Sequence, residues 1–267
     1  MHPYYFGDSD RPLYGVYDPP RSSATLDESV LLCYPVAQEY MRSHWAFRQL
    51  TSQLAKTGLH CMRFDYYGSG DSAGESVDGS MDQWHSDVDT GLTELKDMAG
   101  VMKVSLVGLR FGAAIAATAP VQAHKVRNLV LWDPVVNGAA YIENLRRLHH
   151  KMVKDHKHYK NPWSKNSNGE PTELFGFRFS ERMLEDIQAL NLLNQKEFSS
   201  AAIFLFVSEE RQEYVELKEH LQSLGLLRGY QVFTDGGDWE DPVAVDKALI
   251  ASNIIRAIAN ELGRNKQ

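Results

Sequence analysis

Cysteine is scarce in this chain: among 267 residues only Cys33 and Cys61 are cysteines. Both fall inside apolar segments that read as strands. That excludes a disulfide framework and makes a reducing, cytoplasmic setting the expectation. Long apolar runs are missing too. Charged residues break each run well short of the roughly 20 residues that a membrane-spanning helix needs, so no membrane partner is expected. The opening residues Met1-His2-Pro3-Tyr4-Tyr5-Phe6-Gly7-Asp8 lack the basic start and apolar stretch of a secretory leader. Positive charge is in deficit: 28 Lys and Arg stand against 35 Asp and Glu, a net charge of -7. That balance argues against a nucleic-acid partner. No internal repeat or low-complexity tract is visible.

What remains is an alternation of apolar runs and helical patterns, which predicts a mostly parallel sheet flanked by helices. Leu13–Tyr17 reads as an early edge strand. Ser29–Tyr34, Leu59–Phe64, Lys103–Val107, Val126–Trp132, Ala201–Val207 and Gly229–Thr234 read as further strands. A helix is expected from about Ser43 to Lys56, with Trp45, Phe47, Leu50 and Leu54 inward, Ser43 as its cap and Gly58 past its end. Ser80 and Gln83 have the spacing of a capping box. Phe111–Val121 is a small-residue helix. Asp241-Pro242 opens a last helix running to about Leu262. Residues 137–198 lack strand signals and read as a helical cap inserted into a core formed by 1–136 and 199–267.

The segment Val107-Gly108-Leu109-Arg110-Phe111-Gly112-Ala113 has the spacing of a turn from strand to helix in which glycines flank one projecting residue. Asp65-Tyr66-Tyr67-Gly68-Ser69-Gly70-Asp71-Ser72 is a glycine-rich loop after an earlier strand. On these residues the chain resembles the α/β-hydrolase superfamily over nearly its whole length. Pro35–His44, Gly108–Ala113 and Trp132–Gly138 make it most similar to the serine-aminopeptidase-like group, and within it to the exosortase-associated "hydrolase" proteins. The resemblance implies an α/β-hydrolase fold with a helical cap. It also implies a setting in natural-product or exopolysaccharide-related biosynthesis.

Two departures from that group decide the chemistry expected. The nucleophile's position holds Arg110, whose protonated guanidinium has no lone pair to attack with. The loop after the last strand, where the resemblance places a histidine, reads Thr234-Asp235-Gly236-Gly237-Asp238-Trp239-Glu240. The last histidine of the chain is His220. Glu209 or Glu210 stands where the acid is expected and reads as surface charge. Serine-hydrolase chemistry is therefore not expected. Arg110 either pairs internally, with Asp133 or with Glu39, or anchors the anion of a ligand. These three are the candidate catalytic residues. Tyr40, His44, Asp65, Tyr66 and Trp239 are the candidate ligand-binding residues, because ligands of open α/β sheets bind along the C-terminal strand edge.

Between Tyr141 and Lys165 seven Lys and Arg face two acids, a net +5 in an acidic chain. Such a face is either solvated or receives an acidic partner such as an acyl carrier protein. His149, His150, His156 and His158 are adjacent or two apart, which does not put two imidazoles on one helical face. No metal or other cofactor is expected. The function expected is a non-hydrolytic enzyme or binder of an anionic acyl or biosynthetic small molecule. The alternatives are a non-catalytic partner of an acidic protein, and an esterase or thioesterase with displaced catalytic groups.

Overall fold

The computed structural model describes residues 1–155, 172–234, 239 and 251–264. Among these, eight strands form one sheet in the order β1-β2-β4-β3-β5-β6-β9-β10. They are β1 (His2–Phe6), β2 (Leu13–Asp18), β3 (Glu28–Cys33), β4 (His60–Phe64), β5 (Lys103–Leu109), β6 (Leu129–Trp132), β9 (Ile203–Val207) and β10 (Leu227–Val232). β1 and β2 pair antiparallel, as do β2 and β4; every pairing from β4 onward is parallel. β3, β5, β6 and β9 are buried almost throughout, as their continuous apolar runs require when helices cover both faces.

The sheet corrects one expectation at its edge. Leu13–Tyr17 is not the outermost strand, because His2–Phe6 pairs outside it. Pro3 in that segment is compatible with an edge, where a missing N–H costs no ladder bond.

Helix α1 (Ala37–Lys56) starts six residues before the expected Ser43. Val36 precedes it without a side-chain cap, and Ser43 lies inside it, buried, its Oγ donating to the Tyr40 carbonyl at 2.7 Å. Ser43 is therefore not a cap. Phe47, Leu50 and Leu54 face inward as expected, whereas Trp45 is 48% exposed. Helix α2 (Met81–Ala99) is capped by Ser80, whose Oγ accepts from the Gln83 N–H at 3.2 Å. The reciprocal half of the box is absent: the Gln83 amide donates to Asp87 instead, at 2.7 Å. Helix α3 (Phe111–Thr118) stops just before Ala119-Pro120, because proline disfavours helical geometry at the residue before it.

Between β6 and β9 the chain forms α4 (Gly138–Asp155), a small hairpin of β7 (Glu173–Leu174) and β8 (Phe177–Arg178), and α5 (Glu181–Ala189). The segment is thus not purely helical. α4 buries Tyr141, Ile142, Leu145 and His149. Helix α6 (Gln212–Ser223) joins β9 to β10, and α7 (Ser252–Gly263) packs beside α1. The expected start of the last helix at Asp241 lies outside the described residues, as do His156 and His158. Cys33 and Cys61 are both buried free thiols. No helix among the described residues is long and apolar enough to cross a membrane.

Candidate functional site

Strands β3, β5, β6 and β9 end together, and the residues just past those ends form the site. Arg110 follows β5 with φ 53 and ψ -123, a left-handed conformation that a side-chain-bearing residue adopts only under constraint. The constraint is visible. Its N–H donates to the Trp132 carbonyl at 3.0 Å, and its carbonyl accepts from Ala113 at 3.1 Å and Val135 at 3.2 Å. Gly108 and Gly112 are required by close approach. A methyl group on Gly112 would overlap the Cys33 and Tyr34 carbonyls, and one on Gly108 would overlap the backbone of Ala113. This is the sharp elbow that the spacing predicts.

The Arg110 side chain is only 5% exposed. Its Nε donates to Glu39 Oε1 at 3.0 Å and its Nη1 to the backbone carbonyl of Asp133 at 3.3 Å. Glu39, on the first turn of α1, is fully buried and also accepts from the Tyr141 hydroxyl at 3.1 Å. Tyr141 in turn stacks on Phe111, the residue after the elbow, at 5.7 Å between ring centroids. One buried network therefore ties elbow, α1 and α4 together. Of the two partners expected for Arg110, Glu39 supplies the carboxylate and Asp133 only its carbonyl.

The Asp133 carboxylate is committed elsewhere. Oδ1 accepts from the Ser208 N–H at 2.6 Å, and Oδ2 accepts from the Ser208 hydroxyl at 2.5 Å and from Trp239 Nε1 at 2.8 Å. Asp133 itself has φ 44, a strained conformation stabilised by those three bonds. Burial pushes its carboxyl above the usual range, while Ser208, Trp239 and the Arg110 cation pull it back. Trp239 lies after β10, in the loop where the family resemblance places a histidine, and it donates to an acid as a histidine's ring N–H would. An indole nitrogen has no free lone pair, so it cannot take a proton. Glu209 and Glu210 are exposed, and Glu209 pairs with Arg211. The buried acid of this constellation therefore comes from the end of β6.

Beside the elbow is a chamber of about 90 Å³. Val36, Ala37 and Tyr40 form the wall that follows β3, Gly68–Gly70 the wall that follows β4, and Trp84 of α2 the floor. The inserted segment closes it with Phe177, Phe179 and Met183, and brings exposed Arg178 to its rim. Tyr40 is the one proposed ligand-binding residue that lines this space. Asp65, 4% exposed, stands directly behind it. Tyr66 and Trp239 are buried in the core, and His44 sits on the outer side of α1 against Tyr34 and Tyr40. Arg110 does not line this chamber; the cation at its rim is Arg178. The run Phe175-Gly176-Phe177-Arg178-Phe179, an aromatic alternation around a glycine, is the sequence signal that could have revealed this hairpin.

A mostly parallel sheet with this elbow defines an α/β-hydrolase fold. Residues 39–175 match the family model of serine aminopeptidase, S33, and the chain belongs to that family. Solved structures with the same fold include Est1E of Butyrivibrio proteoclasticus with ferulic acid bound: 11% identity, TM-score 0.63, covering 98% of this chain and 100% of that one. An esterase of Pyrococcus furiosus has 17% identity and a TM-score of 0.61 over 98% of this chain and 90% of its own. XC6422 of Xanthomonas campestris, a serine hydrolase without a lid, has 14% identity and a TM-score of 0.58 over 96% and 94%. No match was found among the curated proteins.

Proposed function

We propose that this chain is a non-hydrolytic member of its family that binds a small anionic molecule of acyl or biosynthetic type. The observation that carries the reading is Arg110 at the elbow, buried and ion-paired with Glu39. A guanidinium cannot form an acyl-enzyme, and Trp239 beside Asp133 cannot serve as the base. Displaced nucleophiles find no support at Ser43 or Cys33. Ser43 is buried within α1, and burial pushes the Cys33 thiol up to about 12.

In this reading 137–198 acts as a cap on the core formed by 1–136 and 199–267. The chamber takes the apolar end of the ligand, and Arg178 meets its carboxylate or phosphate. Its size suits about four carbons, so butyrate is the test ligand. Butyrate is expected to shift the Trp84 indole resonance, with about threefold weaker binding after Arg178→Ala and none after Met183→Trp, which fills the space. An indole signal that stays still throughout, or shifts equally in the filled variant, contradicts the reading.

A second reading is favoured by one observation. Arg147, His150, Lys151 and Lys154 are exposed along α4 at the spacing of one helical face. That basic stripe suits an acidic protein such as an acyl carrier protein. Pull-down with Lys151→Glu and Lys154→Glu separates the two: unchanged capture of acidic partners removes the second reading.

A further inference from the structure

Tyr40 is a polar residue of the chamber's inner wall, which also carries Ser69 and Ser76. Gly70 approaches so closely there that a methyl group on it would overlap both Asp65 Oδ2 and the Tyr40 hydroxyl. The two groups therefore meet at a point where the chamber lining is backbone only. Gly70 has φ 56, a conformation glycine adopts without strain. The turn thus brings the backbone up to the pair without a side chain to cover it.

The pair is polarised in a definite direction. Asp65 is 4% exposed and its Oδ2 also accepts from the Asp71 N–H at 3.0 Å. The Tyr40 hydroxyl lies beside this carboxylate, and because a carboxylate can only accept, a proton shared between the two belongs to Tyr40. With its proton turned to Asp65, the phenol oxygen presents lone pairs to anything else in reach. Trp84, Phe177, Phe179 and Met183 enclose the same space and offer an apolar contact surface. A hydrogen-bond chain in such surroundings is polarised along its length, and each link strengthens the next.

We infer that the Tyr40–Asp65 pair is a recognition site for a hydrogen-bond donor on the ligand, an O–H or N–H group carried on a short apolar body. The donor's hydrogen points to the Tyr40 oxygen and the Tyr40 hydrogen to Asp65; no bond is made or broken. This rests on the proposed reading of the chamber as a ligand site and adds the substrate class: hydroxy- or amino-bearing molecules over their carbonyl counterparts. The Glu39–Arg110 network takes no part in it.

The test compares 2-butanol with 2-butanone, which have the same heavy-atom skeleton and differ in whether the oxygen carries a hydrogen. Binding to the full chain is followed by the Trp84 indole resonance. The alcohol is expected to bind at least about fivefold more tightly than the ketone, the effect of one added hydrogen bond. Tyr40→Phe, which keeps the ring, is expected to bring the two to equal affinity, and Asp65→Asn to reduce the preference with the fold intact by circular dichroism. Equal affinity in the unaltered protein, or a preference that survives Tyr40→Phe, overturns this inference while leaving the chamber a ligand site. If neither molecule binds and butyrate also leaves the Trp84 indole signal of the unaltered protein unmoved, both this inference and the reading beneath it fail.

Discussion

Replacing Arg110 with alanine is expected to destabilise the protein by about 3–5 kcal/mol, the range for removing one partner of a buried ion pair. At this chain length that corresponds to a fall in melting temperature of roughly 10 °C. The loss arises mainly in the group left behind. Glu39 has no accessible surface, and without Arg110 its Oε1 loses a cationic donor while Oε2 keeps the Tyr141 hydroxyl. The paired variant Arg110→Met with Glu39→Leu is expected to recover most of the stability, because two apolar side chains of similar volume carry no desolvation penalty. A thermodynamic cycle over the two positions should then give a coupling above about 2 kcal/mol. If the double variant is as unstable as the two single losses added together, the pair is not the energetic unit described here.

The second large effect is expected at Asp133. Alanine there leaves the Ser208 N–H, the Ser208 hydroxyl and Trp239 Nε1 without their acceptor. Each buried donor left unpaired costs about 1–3 kcal/mol, and because the two Ser208 donors are only part-buried the total is expected near the low end, roughly 3–5 kcal/mol by chemical denaturation. Asparagine should cost less. It still accepts through one oxygen, and it tolerates the positive φ of 44 that alanine resists. Trp239→Phe removes a single donor and keeps most of the ring contact with Trp132, whose centroid lies 5.5 Å away. It should cost the least of the three. If Trp239→Phe proves as damaging as Asp133→Ala, Trp239 is held by packing rather than by the carboxylate.

Much of this architecture is legible in the chain. Buried parallel strands are continuous apolar runs, and β3, β4, β5 and β9 lie within a residue or two of where those runs place them. The elbow is readable because two glycines at fixed spacing answer a steric demand that no other residue meets. What escaped has physical reasons. β1 carries aromatics on an exposed edge, so its burial does not alternate cleanly. The early start of α1 has no capping side chain to announce it. The hairpin at Glu173–Arg178 is too short for a period to show.

At the site, the sequence singled out Arg110, Glu39, Asp133, Tyr40 and Asp65, and the fold brings all five to one end of the sheet. It could not assign their partners. Whether Arg110 meets the carboxylate of Glu39 or that of Asp133 depends on how the strained turn after β6 aims Asp133, and that aim is set by Ser208, 75 positions further along the chain. Arg178 was missed because its place beside the chamber depends on how the inserted segment folds back over the strand ends.

Arg110 leaves the elbow without an attacking atom, and covalent labelling tests the consequence. The protein is incubated with a fluorophosphonate in excess, and its intact mass is measured beside that of an active serine hydrolase. The mass is expected to stay that of the unmodified chain while the control gains one adduct. A stoichiometric adduct on this chain would contradict the account.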